Sequence, residues 1–359
     1  LMQDIAKKHG LRCLLHEKPF DGVNGSGKHN NWSVVTNTGV NLFNPGQNPS
    51  ENLPFLAALA CTIKAVDEYA DLLRMTTATA GNDHRLGANE APPAIISMFL
   101  GEDLDKIIHA IIEGAELENI DKARFQTGVS VVPDFSKDNT DRNRTSPFAF
   151  TGNKFEFRAV GSSQSIAGPN TILNSILAYE MEEMADEIES GKEPMEVIKE
   201  FLSQHQRIIF NGDGYSKEWE EEAKRRGLPN RKNTVEAMEH LLDEKNVKMF
   251  KHLGIYSEIE LQARYEILLE NYNKTIQVEA LTALKMARNE IYPAALAYLD
   301  QMTKTSLHMQ ELGVNIDYLV DDVKSLSSLL SQMKNQMMIL EKQSRIVAMS
   351  FCEPRSCSP

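Results

Sequence analysis

The sequence predicts an α+β fold in which a strand-containing first half precedes an almost purely helical second half. Up to about residue 168, short β-type segments alternate with glycine-rich or polar loops. One of them, residues 154–158, alternates charged and aromatic residues with the period of two that is typical of a strand. After residue 166, apolar residues recur at helical spacing almost without interruption. We therefore expect three parts: a sheet-containing part at 1–168, a helical region at 169–346, and a disordered tail at 347–359.

In the first half, the spacing of apolar residues predicts helices at 1–9, 50–74 and 102–116, and strands at 12–15, 32–36, 128–132 and 154–158. In the helix at 102–116, isoleucines and leucines form a clean stripe along one face. In the strand at 154–158, two phenylalanines face one side of the sheet, and the other side carries Lys154, Glu156 and Arg158. We expect this sheet to be antiparallel.

The second half predicts a run of helices at 170–189, 194–208, 216–226, 234–246, 258–291, 294–311 and 316–346. Two of them begin with capping patterns, Ser257 with Glu260 and Asn233 with Glu236. The methionines of the last helix stand at helical spacing, which is typical of core or interface packing. This half is therefore expected to form a helical layer or bundle.

Composition and charge exclude several classes of function. The chain has 359 residues, of which 42% are hydrophobic and 25% are charged, as in ordinary globular proteins. A formal net charge of -13 argues against a nucleic-acid partner, which requires a basic face. No apolar run has the length of a membrane span, and no signal peptide is visible. The four cysteines contain no CxxC pair, so we expect a reducing, cytoplasmic setting without a membrane.

Residues 21–33, which read D-G-V-N-G-S-G-K-H-N-N-W-S, combine three glycines with asparagines, a lysine and a histidine. Residues 22–28 fit G-x-x-x-x-G-K, but a phosphate loop needs Ser or Thr next and then a helix, whereas His29 and a strand follow here. This stretch alone leaves two alternatives open. One is a glycine-rich hairpin turn. The other is a ligand-binding turn that delivers His29, a residue type common among metal ligands, to the start of a strand.

Further polar side chains that could form a site all occur before residue 165. They are Arg85 and Glu90, Arg142 and Arg144, and the row Lys154, Glu156 and Arg158. Such a row is often an exposed strand edge with paired charges, but the neighbouring phenylalanines indicate a core strand, where these charges need partners. A glutamate and a histidine can jointly hold a divalent ion, and arginines suit carboxylate and phosphate groups. A metal ion and arginines together are the groups that enzymes of phosphoryl transfer use to position the phosphoryl group and neutralise its charge.

Four motifs in order resemble the glutamine synthetase family. They are N-G-S-G-K-H at 24–29, R-L-G-A-N-E-A-P at 85–92, R-N-R at 142–144 and F-E-F-R at 155–158. The longer runs at 18–33 and 145–163 resemble the type III enzymes in particular. The resemblance is dense over about 1–235 and looser in the helical remainder. It implies that residues 1–168 are a partial catalytic domain, which the helical region at 169–346 partly completes.

The resemblance implies an ATP-dependent ligase that makes glutamine from glutamate and ammonia through γ-glutamyl phosphate, with Mg²⁺ or Mn²⁺. By position in the motifs, it implies a glutamate site of Asn24, Gly25, Arg85 and Arg158. It implies a metal site of His29 and Glu156, and an ATP site of Asn31, Ser33, Arg144 and Lys154. The catalytic residues it implies are Glu90, which shields the intermediate and deprotonates ammonium, and Arg144 and Arg158, which clamp the phosphoryl group.

Some features depart from the family pattern. The loop from Arg85 to Glu90 is one residue shorter than in type I enzymes, and Ala149 stands where a further arginine is usual. The family's N-terminal β-domain and other metal-binding glutamates have no counterpart here, and the tail after about 346 also departs. We therefore expect this chain to be inactive alone and active in a full-length homo-oligomeric ring. The alternatives are a non-catalytic truncated homologue, a related glutamate–amine ligase and a helical interaction protein.

Overall fold

The structure is a computed structural model that describes residues 1–115 and 145–352, and also two short strands between these ranges. Side chains are described up to residue 344. The chain divides into two compact units, Leu1–Leu269 and Glu270–Pro359. The units are described separately below.

The first unit contains a four-stranded sheet. The strands of the chain are β1 (Asn30–Trp32), β2 (Met98–Phe99), β3 (Arg124–Phe125), β4 (Phe135–Ser136), β5 (Phe148–Phe150) and β6 (Phe155–Phe157). The sheet has the order β1-β6-β5-β2, and β3 pairs separately with β4. β6 runs antiparallel to both β1 and β5, whereas β2 runs parallel to β5. The predicted α+β class is confirmed, but the sheet is mixed rather than antiparallel as expected, because β2 runs parallel to β5.

One face of the sheet packs into an aromatic core. Phe155 and Phe157 are fully buried, as the alternation of residues 154–158 predicts. The ring of Phe155 stacks on that of Phe148 with centroids 4.8 Å apart, and Trp32 from β1 lies against the same cluster. The indole Nε1 of Trp32 donates to Asn174 Oδ1 at 2.9 Å, which ties β1 to the helical part of the unit. Glu156 therefore lies on the opposite face of β6.

Ten helices of the described residues begin and end within the first unit. They are α1 (Met2–Lys8), α2 (Leu53–Glu68), α3 (Ala70–Met75), α4 (Ala80–Asp83), α5 (Glu102–Glu113), α6 (Ala167–Glu189), α7 (Pro194–His205), α8 (Lys217–Arg225), α9 (Thr234–Met238) and α10 (Glu244–His252). The helix α2 is almost entirely buried and packs against α6 and α7. Its first turn is capped by Asn52, whose side chain accepts from the backbone N–H of Phe55 at 3.2 Å. Buried residues of these helices and of the sheet form one hydrophobic core.

Three predicted elements before residue 80 were wrong or only partly right. Residues 12–15 form no strand, because they are paired with no strand among the described residues, and Leu14 and Leu15 are exposed. The strand predicted at 32–36 ends at Trp32, and Val35 makes only an isolated bridge to Asn41. The predicted helix at 50–74 is interrupted at Tyr69.

The helix predicted at 234–246 is also interrupted. Its backbone leaves the helical conformation at Asp243, between a short turn of 3₁₀ helix and α10. The other predicted helices of this unit are present, with ends shifted by a few residues. The strand predicted at 128–132 lies outside the described residues.

The second unit is almost entirely helical in its described part. The helix α11 (Glu258–Met286), which begins in the first unit, continues through a π-helical turn at Ala287–Ile291 into α12 (Tyr292–Glu311). The only non-helical residues of the described part are the short connection at 312–316, after which α13 (Asp317–Cys352) packs against α12. Arg288 binds Glu341 with Nη2 and Oε2 2.7 Å apart. The backbone is helical to Cys352, beyond the predicted end at 346, and residues 353–359 lie outside the described residues. The domain limits predicted at 168 and 346 stay predictions.

Among residues 1–115 and 145–352, no helix is both long enough and apolar enough to cross a lipid bilayer.

Candidate active site

The glycine-rich segment at 21–33 lies directly over the side chain of Arg85. A side chain at Gly25 would approach Arg85 Cγ to 2.7 Å, and one at Gly27 would collide with the Arg85 guanidinium. These two glycines are therefore required for close approach of the backbone to another residue rather than for an unusual φ angle. The segment is held in place where the backbone N–H of Lys28 donates to the carbonyl of Val160 at 2.9 Å.

Arg85 is buried beneath this segment, with 4% of its surface exposed. Its Nη1 donates to Asn82 Oδ1 at 3.0 Å and to the carbonyl of Val160 at 3.1 Å, and its Nη2 donates to the carbonyl of Arg158 at 3.0 Å. Burial lowers the pKa of the guanidinium, although it remains charged. These contacts support the backbone around Arg158. The substrate-carboxylate role implied by the resemblance stays a prediction.

His29 and Glu156 meet across the pairing of β1 and β6. Asn31 lies opposite Glu156 in the register, and His29 Nδ1 lies 3.6 Å from Glu156 Oε2. Partial burial and the charge of Arg158 lower the pKa of His29, and Glu156 only partly opposes this, so the imidazole is neutral near pH 7. A neutral imidazole is the form that binds metals.

The separation between these two side chains is compatible with binding of one metal ion. Two ligands of one Mg²⁺ ion, each at about 2.1 Å, lie roughly 3 to 4 Å apart. The 3.6 Å between His29 and Glu156 fits this range, so the pair fits two ligands of one ion.

Arg158 binds the same carboxylate. Its Nη2 lies 3.0 Å and its Nε 3.2 Å from Glu156 Oε2, so the two residues share the face of β6 that the sequence alternation predicts. The side chain of Arg158 is nearly buried. Glu156 therefore links an imidazole on one side with a guanidinium on the other.

The loop at residues 85–93, which we call the flap loop, is tied to the glycine-rich segment. Asn24 Nδ2 donates to Glu90 Oε2 at 2.6 Å, and Asn89 Nδ2 donates to the carbonyl of Gly22 at 3.0 Å. Glu90 has a φ of 51°, a left-handed conformation that is rare and strained for a residue with a side chain. Strain of this kind is concentrated at functional sites. The two hydrogen bonds hold Glu90 over the segment that contains Asn24.

A cavity of about 470 Å³ opens between the flap loop and a second segment at 214–220. Asn24 and Glu90 line it from one side, and Gly214, Tyr215 and Ser216 line it from the other. This second segment contains none of the predicted site residues. The cavity nevertheless connects it with two residues of the predicted site.

The predicted site residues fall into three groups. A series of contacts joins Asn24 with Glu90, Gly25 with Arg85, Arg85 with Arg158, and Glu156 with both Arg158 and His29. Asn31 and Ser33 are exposed at and just beyond β1, and Lys154 is half-buried just before β6. Arg142 and Arg144 lie outside the described residues.

Glu17 is not among the predicted site residues, but it is buried beneath the same loops with 4% of its surface exposed. Its Oε1 accepts from the backbone N–H of Ser163 at 2.9 Å and from the Ser163 hydroxyl, and its carbonyl accepts from the N–H of Ser26 at 2.8 Å. Burial opposes ionisation of this carboxyl, but the hydrogen bonds from Ser163 outweigh it and lower the pKa below its usual value. No local pattern around Glu17 indicates a partner so distant in the chain.

Two family models match separate parts of this chain. The family model "Glutamine synthetase, catalytic domain" matches residues 1–94, and "Glutamine synthetase C-terminal domain" matches residues 193–310. A type-3 glutamine synthetase of Dictyostelium discoideum is 44% identical over 93% of this chain and 49% of its own length.

Two bacterial glutamine synthetases are similarly close. That of Butyrivibrio fibrisolvens is 46% identical over 87% of this chain and 45% of its own length. That of Bacteroides fragilis (strain YCH46) is 42% identical over 89% of this chain and 45% of its own length. The chain thus spans about half the length of the curated relatives it matches. Because both family models match in order and the relatives match along most of the chain, this protein belongs to the glutamine synthetase family.

Proposed function

We propose that this chain, in its full-length oligomer, ligates ammonia to glutamate with ATP and makes glutamine through γ-glutamyl phosphate. The observation that carries the proposal is the position of Glu156. Its Oε2 lies 3.6 Å from His29 Nδ1 and 3.0 Å from Arg158 Nη2. One carboxylate thus joins a candidate metal ligand to a guanidinium suited to a phosphoryl group, which is the pair of groups that phosphoryl transfer needs.

The metal would be Mg²⁺ or Mn²⁺, held by His29 and Glu156. When bound, it would neutralise charge on the phosphates of ATP. The neutral imidazole of His29 is ready to act as a ligand near pH 7 without losing a proton. Arg158 would bind the transferring phosphoryl group, with Arg144 as its second clamp, and Asn31, Ser33 and Lys154 would contact ATP.

The glutamate substrate would bind at Asn24, Gly25 and Arg85. In the first step, a γ-carboxylate oxygen of glutamate attacks the γ-phosphorus of ATP, and ADP leaves. In the second step, the nitrogen of ammonia attacks the acyl carbon and inorganic phosphate leaves. Glu90 would accept the proton that ammonium must lose before this attack.

The flap loop would protect the intermediate between these steps. An acyl phosphate is hydrolysed if water reaches it, so a closing lid is an expected part of the site. The hydrogen bonds of Asn24 to Glu90 and of Asn89 to Gly22 support this role, because they hold the flap loop against the glycine-rich segment. Release of these two bonds would open the site for exchange.

The proposal includes a homo-oligomeric ring in the cytoplasm, without a nucleic-acid or membrane partner. It also includes inactivity of this chain alone, because His29 and Glu156 are the only two metal-ligand side chains that meet at this point among the described residues. A non-catalytic homologue and a related glutamate–amine ligase remain the alternatives. Both are distinguished by what the full-length protein does with ATP, glutamate and ammonium.

The metal site is tested by replacing Glu156 with Gln in the full-length protein. We expect the Mg²⁺-dependent affinity for ATP, measured by titration calorimetry, to fall about tenfold or more, because one of the two described ligands loses its charge. Glu196→Gln, at an exposed glutamate of α7, is the matched control and should leave this affinity unchanged. An unaltered Mg²⁺–ATP affinity in Glu156→Gln would show that Glu156 is not a metal ligand.

A further inference from the structure

Glu17 joins the two chain segments that carry His29 and Glu156, which we call the candidate metal pair. The main-chain carbonyl of Glu17 accepts from the N–H of Ser26 at 2.8 Å, in the glycine-rich segment that leads to His29. Its Oε1 accepts from the backbone N–H of Ser163 at 2.9 Å and from the Ser163 hydroxyl, in the loop that follows β6. One residue is thus bonded to the segment before β1 and to the segment after β6.

The pairing of β1 with β6 extends from the candidate metal pair towards Glu17. Beyond the last strand residues, the N–H of Lys28 donates to the carbonyl of Val160 at 2.9 Å. One residue further on, Gly27 forms an antiparallel bridge with Gly161. Because the two segments stay paired over this distance, a change in their separation at Glu17 would also displace the residues next to the metal pair.

The backbone packs closely around the Glu17 carboxylate. A side chain at Gly81 would approach Glu17 Oε2 to 2.8 Å, and one at Gly161 would approach Glu17 Oε1 and Cγ to 3.1 Å. Neither glycine has a positive φ, so close approach of the backbone to Glu17 explains these glycines better than an unusual conformation does. The space between the two glycines therefore has the shape of this one side chain.

The carboxylate of Glu17 is both buried and ionised. Burial opposes ionisation, but the hydrogen bonds from Ser163 outweigh it and hold the pKa of Glu17 below its usual value. Hydrogen bonds to an ionised acceptor are shorter and stronger than those to a neutral one. The charge of Glu17 therefore strengthens its link to the loop after β6. Glu17 belongs to none of the four motifs on which the resemblance depends.

We propose that Glu17 is a positioning residue for the metal ion, which holds the two segments at the separation that lets His29 and Glu156 bind one ion. The inference rests on the proposed function and adds to it a residue outside the four motifs. It predicts a loss of metal affinity in variants that keep both ligands of the candidate metal pair.

The test is Glu17→Gln in the full-length protein, with binding of Mn²⁺ alone followed by the electron paramagnetic resonance of the free ion. The amide keeps the shape of the carboxylate and removes its charge. We expect the affinity of one class of Mn²⁺ site to fall about five- to tenfold. Ser163→Ala removes only the hydroxyl donor and should lower the same affinity about three- to fivefold.

Two further variants separate positioning from a general loss of structure. Glu180→Gln is the matched control, because Glu180 is an equally buried glutamate that binds Lys64 on α2, and it should leave Mn²⁺ affinity unchanged. His29→Ala identifies the site concerned. Once His29 is replaced, Glu17→Gln should cause no further loss of Mn²⁺ affinity, because residues that act on one site do not have additive effects.

The inference is overturned if Glu17→Gln binds Mn²⁺ within about twofold of the wild type. It is also overturned if Glu180→Gln weakens binding equally, or if the effects of Glu17→Gln and His29→Ala add. If Glu17→Gln does not fold, the same limits apply to Ser163→Ala. A wild-type protein that binds Mn²⁺ but makes no glutamine would instead overturn the proposed function, so the two failures are distinguishable.

Discussion

Replacing Arg85 with Lys tests whether the Arg85 guanidinium stabilises the backbone around the candidate site. Arg85 Nη1 and Nη2 together donate to four oxygens, namely Asn82 Oδ1 and the carbonyls of Arg158, Ala159 and Val160. A lysine ammonium is a compact point charge and cannot span this set. We expect the substitution to remove two hydrogen bonds from a charged donor, each worth about 1.5 to 3 kcal/mol, and the lysine ammonium to regain part of this free energy. The protein should therefore lose about 2 to 4 kcal/mol of stability.

The assay is thermal unfolding followed by calorimetry. For a unit of this size, each 1 kcal/mol lowers the midpoint by about 2 to 4 °C, so we expect a decrease of roughly 4 to 16 °C. Arg12→Lys, at an exposed arginine of the same unit, is the control and should leave the midpoint unchanged. A midpoint for Arg85→Lys within about 1 °C of the wild type would refute the support role. If the KM for glutamate rose in that same variant, Arg85 would act on the substrate alone.

Two further predictions concern packing and charge in the first unit. Gly27→Ala should lower the thermal midpoint at least as much as Arg85→Lys, because the new methyl group collides with the Arg85 guanidinium, and the two effects should not add. Gly168→Ala is its control, since the nearest atom to a side chain there lies 4.0 Å away. Burial raises the pKa of Glu180 to about 7 despite the ammonium of Lys64 at 2.7 Å, so the folded state holds this proton more tightly than the unfolded chain does. Stability should therefore fall as the pH rises from about 4.5 to about 7, by on the order of 3 kcal/mol, and Glu180→Gln should flatten this dependence in calorimetric scans; a slope that persists in Glu180→Gln would contradict the assignment.

The part of the site that lies on one strand could be predicted from the sequence. The alternation of residues 154–158 is a local property of a strand, and it correctly gave Glu156 and Arg158 a common face with the phenylalanines in the core. The helical stripe at 102–116 likewise predicted α5 to within a few residues. Periodicity succeeds here because the burial of one face is decided by residues close together in the chain.

The contacts between distant segments could not be derived from periodicity or motif spacing alone. The distance between His29 and Glu156 depends on the register of β1 against β6, and no local pattern specifies that pairing. The burial of Glu17 depends on Ser163, and the wall formed by Tyr215 depends on contacts of Gly214 with Thr145. Polar residues of this kind carry no hydrophobic period, so only the tertiary structure reveals their partners.

The errors in the predicted elements have the same origin. Residues 12–15 have β-type composition, but a strand is stable only where a neighbour accepts its backbone hydrogen bonds. The interruption of the predicted helix at Tyr69 leaves the apolar spacing almost unchanged, so the pattern of 50–74 still reads as one helix. Local propensity is overridden in both places by tertiary contacts.

The central claim is that the full-length protein phosphorylates the γ-carboxylate of glutamate before ammonia attacks it. The most direct measurement uses glutamate whose γ-carboxylate oxygens are both labelled with heavy oxygen, and mass spectrometry of the phosphate released from ATP. The proposed mechanism predicts phosphate with one labelled oxygen, formed only when ATP, glutamate and ammonium are all present. Unlabelled phosphate, or phosphate released without glutamate, would contradict it.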